Sequence, residues 1–287
     1  MTKWNLIVDV AKCDNCNNCV LATKDEHCDN TFPGYDLPHP KHGPQAIRIQ
    51  RRVRGEAPMV DAAYLVTACN QCDNAPCVAA GKGAVRKRDD GIVLIDPDKA
   101  RGRKDLVDAC PYGAIWWNEE HQVPQKWNFD AHLLDSGWKE PRATQVCPTA
   151  ALRAVKVTDD QMAEMARQQH LEVLRPDLGL RPRIYYANLH RFNKAFIGGS
   201  VRAEVAGRLE CVAGAQVVLF AAGQRRAEMA TDVFGDFKFD ALDTGETPWR
   251  IEVSCAGYGT VVRDVQLEES FYVGEICLPA ASGTDTR

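Results

Sequence analysis

Cys13-Asp14-Asn15-Cys16-Asn17-Asn18-Cys19 and Cys69-Asn70-Gln71-Cys72-Asp73-Asn74-Ala75-Pro76-Cys77 are two cysteine triplets, and two solitary pairs, Cys110-Pro111 and Cys147-Pro148, follow them along the chain. Two triplets and two single cysteines make two sets of four. A tight loop carrying three thiolates can wrap one compact inorganic group, and a distant Cys-Pro supplies the fourth ligand. Proline after that cysteine stops the preceding helix. Four-thiolate zinc sites are the rival reading, but they are built from two C-x2-C pairs and not from a triplet. The pattern predicts two [4Fe–4S] clusters, with structural disulfides a weaker reading still.

The rest of the composition narrows the class. At 287 residues the chain can bury two cores. An apolar content of 45%, a charged content of 26% and a formal net charge of −4 argue against a disordered chain and against a nucleic-acid surface. The basic run Arg51, Arg52, Arg54 is followed by Glu56 and reads as a salt-bridged strand rather than a phosphate site. Residues 1–10 hold one lysine and no apolar stretch of signal-peptide length, and no segment approaches the ~20 apolar residues of a membrane span. Twelve cysteines in that setting suggest a reducing compartment where thiolates stay available for iron, so a cytoplasmic location is expected.

Along the chain, residues 1–155 hold all eight patterned cysteines. Leu6–Val8 is a strand candidate before the first loop, and Gly91-Ile92-Val93-Leu94-Ile95-Asp96-Pro97 is an apolar strand closed by proline. Thr158, with Gln161 three residues on, predicts a capped helix bearing Met162, Met165 and Ala166 on one face. Arg181–Phe196, with Tyr185, Tyr186, Phe192 and Phe196 among basic residues, reads as an extended linker that packs on a protein partner. From Gly198 onward about seven short alternating runs separated by Gly, Asp and Pro predict a small β-sandwich. Cys211, Cys255 and Cys277 lie there without metal-type spacing and are expected as buried free thiols; Cys28 is read as a free thiol too. The expected fold class is α+β: a double ferredoxin-like domain over 1–155, a helix and linker over 156–197, an all-β sandwich over 198–280 and a disordered tail over 281–287.

The stretches Cys69–Cys77, Asp90–Asp96, Ala109-Cys110-Pro111-Tyr112-Gly113-Ala114 and Val146-Cys147-Pro148-Thr149-Ala150 resemble the electron-transfer subunits of molybdopterin oxidoreductases related to dimethyl sulfoxide reductase. Asp25-Glu26-His27, Pro33-Gly34-Tyr35, Trp117-Asn118-Glu119-Glu120, Pro182-Arg183-Ile184-Tyr185-Tyr186 and Phe234–Asp240 extend the likeness over nearly the whole chain, toward small subunits of the pyrogallol:phloroglucinol transhydroxylase and anaerobic aromatic-hydroxylase kind. The sandwich resembles transthyretin-like, Ig-like or carboxypeptidase-regulatory-like contact modules. The resemblance implies a crossed pairing in which Cys13, Cys16 and Cys19 join Cys147, and Cys69, Cys72 and Cys77 join Cys110. A four-cluster member would carry cysteine where this chain has Thr23, Trp127, Asp130 and Ala143, and where it has Gly81, Ala100, Arg103 and Leu106. Each lost set is lost entire. Side chains are expected to fill both places, with Arg103 and Asp130 paired or solvated.

The function so implied is that of a non-catalytic iron–sulfur subunit, partnered by a large molybdopterin-binding subunit (molybdenum or tungsten) in a heterodimer or a multiple of one, acting on polyhydroxylated aromatics. No catalytic residue is expected in this chain: it has no nucleophile elbow, no HExxH and no phosphate-cradling glycine loop, and its seven histidines are scattered. Two alternatives are an electron wire for another molybdopterin oxidoreductase and a structural partner whose clusters act as staples. The retained sites would be the first and third of a linear relay, and an interrupted relay suits a transhydroxylation, which exports no net electrons.

Overall fold

The computed structural model describes residues 1–245 and 247–281, so the expected tail lies outside the described residues except for Ala281. The chain divides into two compact units, residues 1–51 with 64–189 and residues 52–63 with 190–287.

The first unit is organised by a three-stranded sheet whose central strand, Lys3–Asp9, is buried along its middle. Leu152–Val157 pairs with it antiparallel and Ile184–Ala187 parallel. Residues 184–187 were expected to be part of an extended linker. They are instead a sheet strand: Tyr186 is fully buried and its hydroxyl donates to the Val66 carbonyl. A ring that large is stable only with its apolar body covered and its O–H partnered, and this unit supplies both.

The two strand pairs near the cysteines explain their placement. Val8 lies opposite Leu152, and the Asp9 N–H donates to the Ala151 carbonyl. The loop entering Cys13 and the turn leaving Cys147 therefore start side by side. Val85–Lys87 pairs with Val93–Ile95 around a turn in which Gly91 has φ +88. A Cβ there would sit 3.1 Å from the side chains of both Arg183 and Lys3, so the position needs glycine for space as well as for its backbone angle. That hairpin brings the helix Pro76–Gly81 beside the helix Asp105–Asp108. Pro76 opens its helix at a position where no amide partner is needed, and Ala75 before it is extended as a pre-proline residue prefers.

The helix Asp159–Gln168 has the capping box anticipated from Thr158 and Gln161, with both reciprocal bonds formed and Met162 buried. It belongs to the first unit.

The second unit contains two four-stranded sheets. In one, Ala195–Val205 is flanked by Arg208–Cys211, Asp236–Leu242 and, in parallel, Phe271–Leu278; in the other the antiparallel order is Gln224–Ala230, Gln216–Ala221, Pro248–Ser254, Val261–Gln266. Alternate residues of both sheets, among them Val201, Phe237, Ile276, Val217, Ile251 and Val253, form one core. Arg208–Cys211 was not anticipated, because all four of its residues are exposed and show no alternation. Cys211 and Cys277 are exposed rather than buried: both lie opposite Arg202 on strands flanking it, and Arg202 faces outward. Cys255 is half-buried against the core. Within the same unit Arg54 is buried and paired with Asp61 and Asp240, so the basic run contributes to an internal ion network.

Candidate metal centres

Two left-handed residues shape the first loop. Asn15 and Asn17 both have φ 62, a left-handed conformation that asparagine tolerates, and the helix Asn18–His27 begins directly after. This helix packs on Arg142–Gln145, which ends just before Cys147. Cys13, Cys16, Cys19 and Cys147 are close enough for their charges to interact: burial and then the neighbouring thiolates push Cys19 up to about 12, and Cys13 is raised for the same reasons. Cys19 is buried, Cys13 and Cys147 are half-buried and Cys16 is exposed.

The second set is enclosed. Cys69, Cys72, Cys77 and Cys110 line one largely apolar pocket with Val93, Ile115 and Leu180 among its walls. Burial, followed by repulsion from the other three cysteines, lifts Cys72 to about 12; burial and Cys69 lift Cys77 to about 11. Gln71 holds the loop between Cys69 and Cys72: its amide donates to the Trp127 carbonyl and accepts from the Val93 N–H. The Ala114 N–H points at Cys110 Sγ at 3.4 Å.

Each group consists of soft sulfur donors alone, held in a shell where four thiolates repel one another without a metal. That donor set fits an iron–sulfur cluster. Cys28, Cys211, Cys255 and Cys277 belong to neither group, and none of the twelve cysteines is in a disulfide.

The family profile of the 4Fe-4S dicluster domain matches residues 60–157. The pyrogallol hydroxytransferase small subunit of Pelobacter acidigallici is 45% identical over 268 residues, covering 92% of this chain and 96% of that one. This chain belongs to that small-subunit family. A tetrathionate reductase subunit of Salmonella typhimurium is 29% identical over 65% of this chain and 73% of its own, and the arsenate respiratory reductase iron–sulfur subunit of a Shewanella species is 27% identical over 64% and 95%. The family is one of iron–sulfur subunits in molybdenum oxidoreductase and transhydroxylase complexes. No helix among the described residues is long and apolar enough to cross a membrane.

Side chains fill both places where the resemblance implied former ligands. Gly81, Ala100 and Leu106 are buried beside Val85 and Ile95, while Arg103 turns outward to Asp105 and the Ala80 carbonyl. Thr23, Trp127, Asp130 and Ala143 are all buried, and here the filling is polar. Asp130 accepts from Trp127 Nε1 at 3.1 Å, from the Arg142 N–H at 2.9 Å and faces His27 Nε2 at 3.4 Å. Beyond His27 lie Asp36, His39 and His132, while Glu26 bridges His132 and Arg142.

Sequence reading took these histidines as scattered and missed the network, since its members come from four separate segments; the Asp25-Glu26-His27 run was the available signal. His27, Asp36 and His39 bring one ligand atom each within 4.8 Å of one another. A metal ion sits in the plane of each imidazole that binds it. The rings of His27 and His39 are stacked at 4.4 Å and 12°, so their planes do not converge on a common point beside Asp36. Asp36 already accepts from the Leu37 N–H, Gln125 and His39. The group is a hydrogen-bonded charge network. Burial alone would depress His27, but Asp130, Asp36 and Glu26 outweigh it and hold its pKa above the ordinary value. Asp36 and Asp130 are held low by their partners against the opposing effect of burial.

Proposed function

We propose that this chain is the non-catalytic iron–sulfur subunit of a molybdopterin enzyme that transfers or adds hydroxyl groups on polyhydroxylated aromatics of the pyrogallol, phloroglucinol or resorcinol type. Cys13, Cys16, Cys19 and Cys147 hold one [4Fe–4S] cluster, and Cys69, Cys72, Cys77 and Cys110 hold the other. The large partner subunit holds the molybdopterin and performs the chemistry. The observation that carries this reading is an identity of 45% sustained over 92% of the chain with a pyrogallol hydroxytransferase small subunit. The filled positions at Trp127 and Leu106 support it: with two cluster places occupied by side chains, a long outward relay is interrupted, as suits a reaction that oxidises one aromatic while reducing another.

Residues 198–280 form a sandwich of transthyretin-like or Ig-like type used for contact, a reading supported by two four-stranded sheets sharing one core. The exposed residues of the segment 156–197 carry the large-subunit contact. The complex is cytoplasmic, in keeping with twelve cysteines none of which is in a disulfide.

Anaerobic purification tests the whole reading. About eight iron and eight acid-labile sulfide per chain are expected, together with a co-purifying large subunit containing molybdenum or tungsten. About twelve or sixteen iron would overturn the ligand sets, and a different partner would overturn the assignment.

A further inference from the structure

Lys126 is a buried cation without a carboxylate. It is 3% exposed, and its ammonium donates to the main-chain carbonyls of Val93 and Trp127. Among the described residues no Asp or Glu pairs with it. Lys87, the other lysine near the second cysteine set, contrasts with it. That side chain also reaches main-chain carbonyls, including that of Cys72, but is neutralised by Asp73 at 2.9 Å. A buried charge satisfied by carbonyl dipoles alone is costly unless an opposite charge lies close by.

The second cysteine set is where such a charge would lie. The Val93 residue that Lys126 bonds lines the pocket of Cys69, Cys72, Cys77 and Cys110. Lys126 acts on Cys77 and Cys110 in the direction that favours their thiolates. A [4Fe–4S] core held by four thiolates is net negative and gains one further negative charge on reduction. In the first set the charged side chain outside the cysteines that acts on Cys13 is Asp14, of the opposite sign to a lysine.

We propose that Lys126 is the fixed counter-charge of the cluster held by Cys69, Cys72, Cys77 and Cys110, and that it raises this cluster's reduction potential so that an enclosed apolar pocket can accept an electron. Net charge, exposure and hydrogen bonding are the levers that set such potentials. Here exposure is low, and of the two lysines that act on this set Lys87 is offset by Asp73, which leaves Lys126 as the uncompensated charge. The inference rests on the ligand reading above and names a residue acting through the cluster's surroundings, not a ligand.

Redox titration followed by electron paramagnetic resonance, on the anaerobically purified complex, tests it. Lys126→Gln keeps a donor for the two carbonyls and removes the charge; Lys126→Arg keeps the charge. At the ambient potential where the native cluster is half reduced, Lys126→Gln is expected to lower the reduced-to-oxidised ratio at least about tenfold, equivalent to about 59 mV for one electron. Lys126→Arg should stay within about threefold on that scale. The signal is assigned as the one that Cys110→Ser abolishes or alters, and the other cluster should not move. An unchanged ratio in Lys126→Gln with full iron content overturns the proposal. Absence of the cluster from the native protein would overturn the ligand reading instead. Should Lys126→Gln lose this cluster while Lys126→Arg keeps it, the charge is needed to hold the cluster and the proposal stands; loss from both would make the role one of packing and end it.

Discussion

The two halves of the cysteine-bearing unit solve the same two problems with opposite materials. Around the helices Asn18–His27 and Arg142–Gln145 the cysteine set is open, with Cys16 exposed, and Asp130, at one of the four filled positions beside it, is buried in a network with His27, Asp36 and the half-buried Glu26. Around the helices Pro76–Gly81 and Asp105–Asp108 the cysteine set is enclosed and the replaced positions are aliphatic, with the one charge, Arg103, sent outward. Two places of similar kind in one unit are thus closed either by apolar packing, which needs only volume, or by charges, which need every partner present. The second solution is the more fragile.

The largest effect should follow from removing the fourth cysteine of either set. Cys110→Ser and Cys147→Ser should each remove one cluster's worth of iron, about four atoms of about eight, and not the same cluster. Iron analysis with the resonance spectrum of each variant checks this; loss of the same signal from both would break the division into halves. Next in size is Asp130→Ala, which leaves His27, Trp127 Nε1 and the Arg142 N–H without their acceptor. Removing one partner of a buried charge pair costs about 3–5 kcal/mol. Leu106→Ala in the aliphatic half leaves a cavity and costs about 2–5 kcal/mol, less where the neighbouring side chains collapse into it. Melting of both variants at one scan rate gives the comparison, and an equal or larger loss in Leu106→Ala would reverse the ranking of fragility.

Local signals were legible in the sequence and convergent ones were not. The capping box at Thr158, the strand around Leu6–Val8 and the apolar strand within Gly91–Pro97 depend on neighbours within a few residues, and each is present. The cysteine pattern was legible because ligand spacing is itself local, while the crossed pairing of each triplet with its fourth cysteine came from resemblance. Ile184–Ala187 resisted reading because its partner strand begins at Lys3, far away in sequence, and the aromatic-basic mixture that suggested an outward surface is consumed by Tyr186 packing inward. Arg208–Cys211 is exposed at every position and leaves no alternation to find. Lys126 and the histidine network share the reason that defeats sequence reading most often: a charge is informative only through what surrounds it, and the surroundings of His27 come from residues 26, 36, 39, 130 and 132.

That network also gives the smallest expected effect, a dependence of stability on pH around neutrality set by its histidines. His27 is held above its ordinary pKa, so its contribution is complete below the unfolded value of about 6.5 and fades as pH rises through its folded value. Asp36 and Asp130 are held below theirs, so they contribute fully above about pH 3.9 and fade as pH falls. Glu26 is held low by His132 and Arg142 against burial, and acts in the same sense as the aspartates. His39 is depressed first by burial and also by His27 and Lys24, with Asp36 opposing, so it too favours the higher pH as the unfolded chain takes up its proton. Acidification thus draws on four groups and alkalinisation on one. The alkaline limb contributed by His27 cannot exceed one proton, about 1.4 kcal/mol per pH unit, while the acid limb is steeper. His27→Gln should flatten the difference between pH 6.5 and 8.5 relative to the native protein, and Leu106→Ala should leave that difference untouched. Melting curves of the three proteins across that range decide it: parallel curves for native protein and His27→Gln would mean that His27 is neutral in the fold, and the polar half would then be held by hydrogen bonds without a buried charge pair.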